Sequence, residues 1–236
     1  MGLTIHWTLR MGPEATARDV RHAIEALRDR ARDLPFQEVS DVIDRKGNAA
    51  DFNKVSKDDP LRWFLIQAQG IEIAGEAGIK RVIPTRIIGV ELRVSEGCEP
   101  TNLMLCKYPD APGWSGRGFT KTQYASNPGD GGIANFLRCH LSIVAILDKA
   151  KELGILEDVS DEGHFWENRD AKALADNVGS WNEMMAAFVM WTKDAVPPGT
   201  TVVSEISAFP NVEHLEAKGV KKLGNLAEHF KGMFEE

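Results

Sequence analysis

Cysteine is scarce in this chain of 236 residues, and so are long apolar runs and blocks of basic charge. The three cysteines, Cys98, Cys106 and Cys139, are an odd number, and their spacing fits neither a disulfide framework nor paired zinc knuckles. We therefore expect reduced thiols, as in a cytosolic protein.

No apolar stretch of the sequence approaches the length of a membrane span. Even residues 137–147 are interrupted by Arg138, His140 and Ser142. The first residues show no basic region followed by an apolar segment, so they do not have the pattern of a secretion signal. The sequence predicts a soluble, cytoplasmic protein that does not enter a membrane.

Charge is mixed along the chain. The formal net charge is −7, from 28 basic and 35 acidic residues that are interspersed. Binding to nucleic-acid phosphates or to anionic membranes depends on clustered Lys and Arg. This pattern argues against a general nucleic-acid binder and leaves a protein partner or a small-molecule ligand.

The start of the chain predicts a β-α-β unit. Apolar and polar residues alternate from Leu3 to Arg10, the period of a strand with one buried face. Apolar residues then recur at helical spacing from Val20 to Leu34, and a second strand is expected at residues 36–43. No glycine-rich phosphate loop follows the first strand, so we expect a ferredoxin-like or split β-α-β start rather than a Rossmann domain.

Later elements follow from the same periodicities and from turn signals. They are strands at residues 86–94, 103–106, 119–124 and 201–206, and helices at 131–154, 171–195 and 218–234. The first two of these strands read as a hairpin. The chain as a whole predicts a single α+β domain over residues 1–236, with a mainly antiparallel sheet and helices packed on one face. Residues 44–85 are weakly patterned and are interpreted as an elaboration of that domain.

An acidic and aromatic cluster at residues 161–170 holds more reactive side chains than any other segment. Its members include candidate bases, a titratable imidazole and an anion-binding guanidinium. The residues are Asp161, Glu162, His164, Glu167, Arg169 and Asp170. Asp161, His164 and Glu167 are also candidate metal ligands, since His164 and Glu167 share a face if the segment is helical. The alternative is that Asp161 caps a helix and the other charges pair on the surface.

A second candidate site lies on the expected strand at 119–124. Lys121 and Gln123 point to the same side of a strand, where Glu99 or Glu162 would neutralise a half-buried Lys121. Such a group could bind an anionic or carbonyl substrate. The alternative is an edge-strand lysine that faces water.

His140 falls within the apolar stripe of the helix at 131–154, next to Cys139. Neighbouring helical residues point about 100° apart, so these two cannot act on each other as a catalytic dyad. We interpret His140 as a core histidine that is satisfied by a hydrogen bond.

Three blocks resemble an uncharacterised bacterial family, a domain of unknown function. The blocks are Gly97 to Pro100, Lys121 to Ala125, and Ser160 to Asp170. The resemblance implies that these blocks converge in space, and it brings no activity or cofactor with it.

Two functions are consistent with these patterns. The first is a binding or regulatory module that acts through a protein partner, with Trp166, Trp181, Phe188 and Trp191 as aromatic anchors. The second is an enzyme acting on a small polar or anionic substrate. In it Lys121, His164 and Glu162 are catalytic, and Gln123, Arg169 and Glu99 bind the substrate. No motif specifies a reaction or a cofactor, so the sequence favours the first function without deciding whether the protein is an enzyme.

Overall fold

The computed structural model describes residues 3–73, 79–197 and 200–222. The strands are β1 (Thr4–Met11), β2 (Glu38–Val39), β3 (Ile43–Lys46), β4 (Gly70–Ile73), β5 (Ile79–Val82), β6 (Arg86–Arg93), β7 (Thr101–Lys107), β8 (Trp114–Lys121) and β9 (Leu156–Asp161). The helices are α1 (Ala17–Arg32), α2 (Arg62–Gln67), α3 (Gly132–Glu152), α4 (Phe165–Asn168) and α5 (Ala171–Ala195). Residues 212–222 are also helical.

Seven strands form one antiparallel sheet, and β1 lies inside it between β8 and β9. The order is β2-β6-β7-β8-β1-β9, with β3 pairing the same edge of β6 as β2 does. β4 and β5 pair separately as a two-stranded ribbon. The α+β class with a mainly antiparallel sheet is thus confirmed. The opening β-α-β unit is split, because β6, β7 and β8 lie between β1 and the strands that follow α1.

One side of the sheet, which we call the helix face, carries Leu3, Ile5, Trp7 and Leu9 and is covered by α1 and α3. α1 begins with a capping box between Thr16 and Asp19 and turns an apolar stripe toward the sheet. α3 ends at Gly154, whose φ of 69° is the left-handed conformation that glycine favours after a helix. This layer is the main hydrophobic core.

The opposite side, which we call the polar face, carries His6, Thr8 and Arg10 on β1. At its β6–β7 end it is covered by α2, where Phe64 and Leu65 pack on Ile87, Met104 and Cys106. Gly89 makes this contact close, since a Cβ there would lie 2.8 Å from the Phe64 ring. The weakly patterned segment thus packs on the sheet through a second, smaller core.

A third apolar cluster joins α5 to the chain that follows it. Its buried members are Ala186, Val189, Ile206, Phe209 and Leu215. The strand predicted at 201–206 was wrong: residues 205–208 form a 3-10 turn that presents Ile206 to α5. Of the helix predicted at 218–234, residues 218–222 are helical, and the rest lie outside the described residues.

Several other boundaries differ from the sequence predictions. The predicted hairpin is confirmed as β6 and β7, which pair from Arg86 with Lys107 to Leu92 with Thr101. The strand expected at 119–124 begins and ends earlier, as β8. The strand expected at 36–43 forms only as the two-residue β2, and β3 begins at its last residue, Ile43. β9 escaped prediction because only Leu156 and Val159 in it are apolar. Among residues 3–73, 79–197 and 200–222, no helix is both long enough and apolar enough to cross a membrane.

Candidate functional site

Asp161 is the most buried acid of the predicted cluster, with 3% of its surface exposed. It ends β9 opposite Ile5, and paired residues of adjacent strands point the same way, so its carboxylate enters the helix face. The carboxylate accepts hydrogen bonds from the amides of Gly163 (2.7 Å) and Trp166 (2.9 Å) and lies 3.0 Å from His140 Nε2. Burial raises the pKa of Asp161, but the hydrogen bond and charge of His140, with the two amides, outweigh burial and lower it.

His140 links Asp161 to a third buried side chain. Because an ionised carboxylate only accepts, His140 carries a hydrogen on Nε2, and its Nδ1 lies 2.9 Å from the hydroxyl of Thr122. The arrangement has the form of an acid-histidine-hydroxyl triad, yet both His140 and Thr122 are 0% exposed. A nucleophile must touch its substrate, so this network acts on stability. The interpretation of His140 as a satisfied core residue agrees with these contacts.

The structure separates Lys121 from Gln123. β8 ends at Lys121, so Gln123 does not share its strand face and instead begins a 3-10 turn. Gln123 is fully buried, accepts from the Leu3 amide (3.2 Å) and donates to Asn182 Oδ1 (3.0 Å). Lys121 is half-buried with its ammonium 5.3 Å from the Tyr124 ring centroid, and its amide donates to the carboxylate of Glu99. Gln123 therefore ties β1 to α5 rather than facing solvent.

The remaining members of the acidic cluster lie on the surface. Glu162 is exposed and accepts from the Thr4 amide at 2.8 Å, which extends the β1–β9 pairing. His164 is exposed, with a left-handed φ of 58° just before α4. Arg169 holds Asp148 with two hydrogen bonds of 2.8 Å and stacks 4.7 Å from a ring centroid of Trp166.

The three metal candidates are not brought together. Asp161 faces inward to His140, while His164 and Glu167 are exposed. Across the described parts of the chain, no group of three or more His, Cys, Asp or Glu side chains is placed to hold a metal ion. Metal binding by this segment would need a rearrangement of the Asp161 network.

The cysteines are free thiols on two sides of the sheet. Cys98 and Cys139 lie in the main core, where their mutual hydrogen bond raises the pKa of Cys98 and lowers that of Cys139. Cys106 lies in the smaller core, and burial raises its pKa to about 12. At neutral pH Cys106 is therefore a protonated, unreactive thiol.

A cavity of about 590 Å³ opens on the polar face, beside α2. Its floor comes from β1, β8 and Asp158 of β9. Strand register places His6 against Phe119, Thr8 against Arg117 and Arg10 against Ser115. Its walls come from the α2–β4 junction at residues 67–70 and from the loop at residues 108–111. The polar half of the β1 alternation therefore lines a concave site.

Apolar side chains share this cavity with the polar ones. Met104, Tyr108 and Phe119 line it, and the Tyr108 hydroxyl donates to the Ala68 carbonyl at 2.9 Å. That bond fixes the phenol ring against the α2–β4 junction. Burial raises the pKa of Tyr108, so it stays a neutral donor.

The charges of the cavity are of both signs. Arg10 is neutralised by Glu157, with Nε 2.6 Å from the carboxylate. Arg117, Asp110 and Asp158 also line the cavity, and all three are exposed. Mixed charge beside aromatic and thioether groups suits an organic ligand with polar ends.

No family model, curated protein or solved structure matches this chain. The comparisons therefore add no functional information to the geometry of the site.

The predicted aromatic anchors divide into two pairs. Trp166 and Trp181 are half-buried and pack against the main core. Phe188 and Trp191, on α5, expose 52% and 46% of their surfaces. Only the second pair is free for an intermolecular contact.

Sequence reasoning missed the cavity altogether. Its one local signal is the run of polar residues between the apolar ones of β1, which predicts a solvent-facing side. The cover over that side comes from residues more than fifty positions away, which no local pattern indicates.

Proposed function

We propose that this protein binds a small polar organic molecule in the cavity on the polar face. The observation that carries the proposal is a concave site of about 590 Å³ whose floor combines two arginines with aromatic and apolar side chains. Ligand sites are typically of roughly 300–1,000 Å³, with mostly apolar lining and a few placed polar groups. The cavity has this size and this chemistry.

The geometry favours binding in this cavity over an enzymatic site built from Lys121, Gln123 and Glu162. Gln123 is fully buried and engaged at both ends of its amide, so it cannot orient a substrate. Glu162 is engaged with the end of β1. Neither residue lines the cavity.

The test is thermal unfolding of the purified protein against a panel of metabolites, since a ligand of the native state raises the melting temperature. Ser115→Trp places a large ring on the cavity floor, opposite Arg10. Ser56→Trp is the matched control, because Ser56 is exposed in the loop before α2 and does not line the cavity. A shift that Ser115→Trp abolishes and Ser56→Trp retains supports the proposal. A shift that survives Ser115→Trp places the ligand elsewhere.

A protein partner is the second candidate, favoured by Phe188 and Trp191. The two residues lie about one helical turn apart on α5, and each is about half exposed. Aromatic residues of this kind often dominate the binding energy at protein interfaces. Sedimentation of the wild type and of a Phe188→Ser/Trp191→Ser variant tests contact between copies. A monomer at every concentration counts against that form of the candidate.

A further inference from the structure

Arg117 and Asp158 flank Thr8 on the polar face of the sheet. Thr8 pairs with Arg117 on one side and with Asp158 on the other, so all three side chains point into the cavity side. Two interstrand spacings of about 4.8 Å separate the outer pair, which gives roughly 10 Å between their backbones. Thr8 therefore lies between the two charged residues.

Arg117 and Asp158 have no ion-pair partner among the described residues, unlike the nearby Arg10. Arg10 is paired with Glu157, whereas within the described residues neither Arg117 nor Asp158 has an oppositely charged group within 4.0 Å. The cavity thus presents one unpaired cation and one unpaired anion, on either side of Thr8. Their complement is a ligand that carries both signs.

The other cavity groups narrow the ligand further. Asp110 adds a second carboxylate on the wall, so a purely anionic ligand would meet Arg117 but be repelled by both acids. Phe119 lies two residues from Arg117 on the same strand face, with its ring centroid 5.9 Å from that of His6. With Tyr108 these rings offer an apolar surface beside the charges.

We infer that the cavity binds a small zwitterion, an α-amino acid with an apolar or aromatic side chain, whose carboxylate meets Arg117 and whose ammonium meets Asp158. A guanidinium matches the two oxygens of a carboxylate, and a carboxylate accepts from an ammonium. The inference rests on the proposed function, because it assigns a ligand class to the same cavity.

Calorimetric titration tests the inference with L-phenylalanine, L-leucine and L-methionine. N-acetyl-L-phenylalanine, which lacks the ammonium, and L-phenylalaninamide, which lacks the carboxylate, are the matched probes. We expect the free amino acid to bind and each capped form to bind about ten-fold more weakly or worse, as loss of a charge-assisted hydrogen bond predicts.

Variants assign the two ends of the ligand. Arg117→Ala should weaken the binding of L-phenylalanine about ten-fold and leave that of L-phenylalaninamide nearly unchanged. Asp158→Asn should also weaken the binding of L-phenylalanine about ten-fold, but leave that of N-acetyl-L-phenylalanine nearly unchanged. Arg93 is a basic residue on β6 that does not line the cavity, so Arg93→Ala is the control and should leave the affinity for every ligand unchanged.

The outcomes separate the inference from the proposed function. Equal binding of the free and capped forms, or no binding of any amino acid at millimolar concentration, overturns the zwitterion. Thermal unfolding against the metabolite panel then still tests whether the cavity binds a small molecule. Amino-acid binding that persists in Ser115→Trp overturns both.

Discussion

Alternate residues of β1 have different roles on the two faces of the sheet. On the helix face, Ile5 and Leu9 are fully buried, and even the polar groups there are closed into hydrogen bonds. On the polar face, His6 and Arg10 are exposed and line a cavity. The side chains of the helix face pack in the core, whereas those of the polar face line a cavity that could hold a ligand. Stability and binding should therefore respond to separate substitutions.

The largest effect on the unfolding free energy is expected at the buried polar network of Asp161 and His140 on the helix face. Asp161→Ala leaves His140 Nε2 and two amides without their acceptor inside the core. Removing one partner of such a buried pair costs about 3–5 kcal/mol of unfolding free energy. Urea denaturation measures the loss.

The neighbouring acid supplies the control for that substitution. Glu162 is exposed, so Glu162→Ala should cost within about 1 kcal/mol, although it removes the acceptor of the Thr4 amide. If Asp161→Ala costs no more than Glu162→Ala, the buried network contributes nothing special to the helix face.

The next effect concerns the cover of the polar face. Phe64→Ala removes a fully buried ring that packs close to Gly89, and it should cost about 3 kcal/mol. Hydrogen exchange should show the backbone of α2 opening more readily than that of α3, because α2 is held by the smaller core.

Trp63 gives the matched control for the cover. It is the neighbour of Phe64 on α2 but is 49% exposed, so Trp63→Ala should change the unfolding free energy by about 0.5 kcal/mol or less. Equal losses for the two variants would mean that α2 does not dock through Phe64.

A smaller effect is expected in acid. Asp161 has a pKa below its unfolded value of 3.8, so it adds stability that is complete above that value and lost as the pH falls through the folded pKa. Below about pH 4 the unfolding free energy of the wild type should therefore fall more steeply than that of Asp161→Asn. Urea denaturation of both proteins between about pH 3 and pH 7 checks this, and parallel curves would contradict it.

Much of the helix face could be predicted from sequence because its signals are local. The apolar stripes of α1 and α3 and the glycine that follows α3 are visible in windows of a few turns. The β6–β7 hairpin likewise follows from two apolar runs around a short turn. Each of these elements depends on neighbours in the chain.

The candidate sites depended on distant contacts, and there the sequence was a weaker guide. Asp161 was expected as a base or a helix cap. Its carboxylate does accept from the amides of Gly163 and Trp166 near the start of α4, but it also contacts His140, 21 positions away. The cavity floor requires Thr8 to meet Asp158 across β1 and β9, a pairing that no periodicity specifies. Register between remote strands is set by the folded core.

The smallest effect is expected on the cavity floor, and it decides whether the two faces are separate. Arg117 is exposed and has no ion-pair partner among the described residues, so Arg117→Ala should change the unfolding free energy by about 0.5 kcal/mol or less. Leu9, fully buried on the helix face, gives the contrast: Leu9→Ala should cost about 2–5 kcal/mol. A loss above about 1 kcal/mol for Arg117→Ala would show that the floor belongs to the structural core. The charges there would then be retained for folding, and their lack of partners would no longer argue for a ligand.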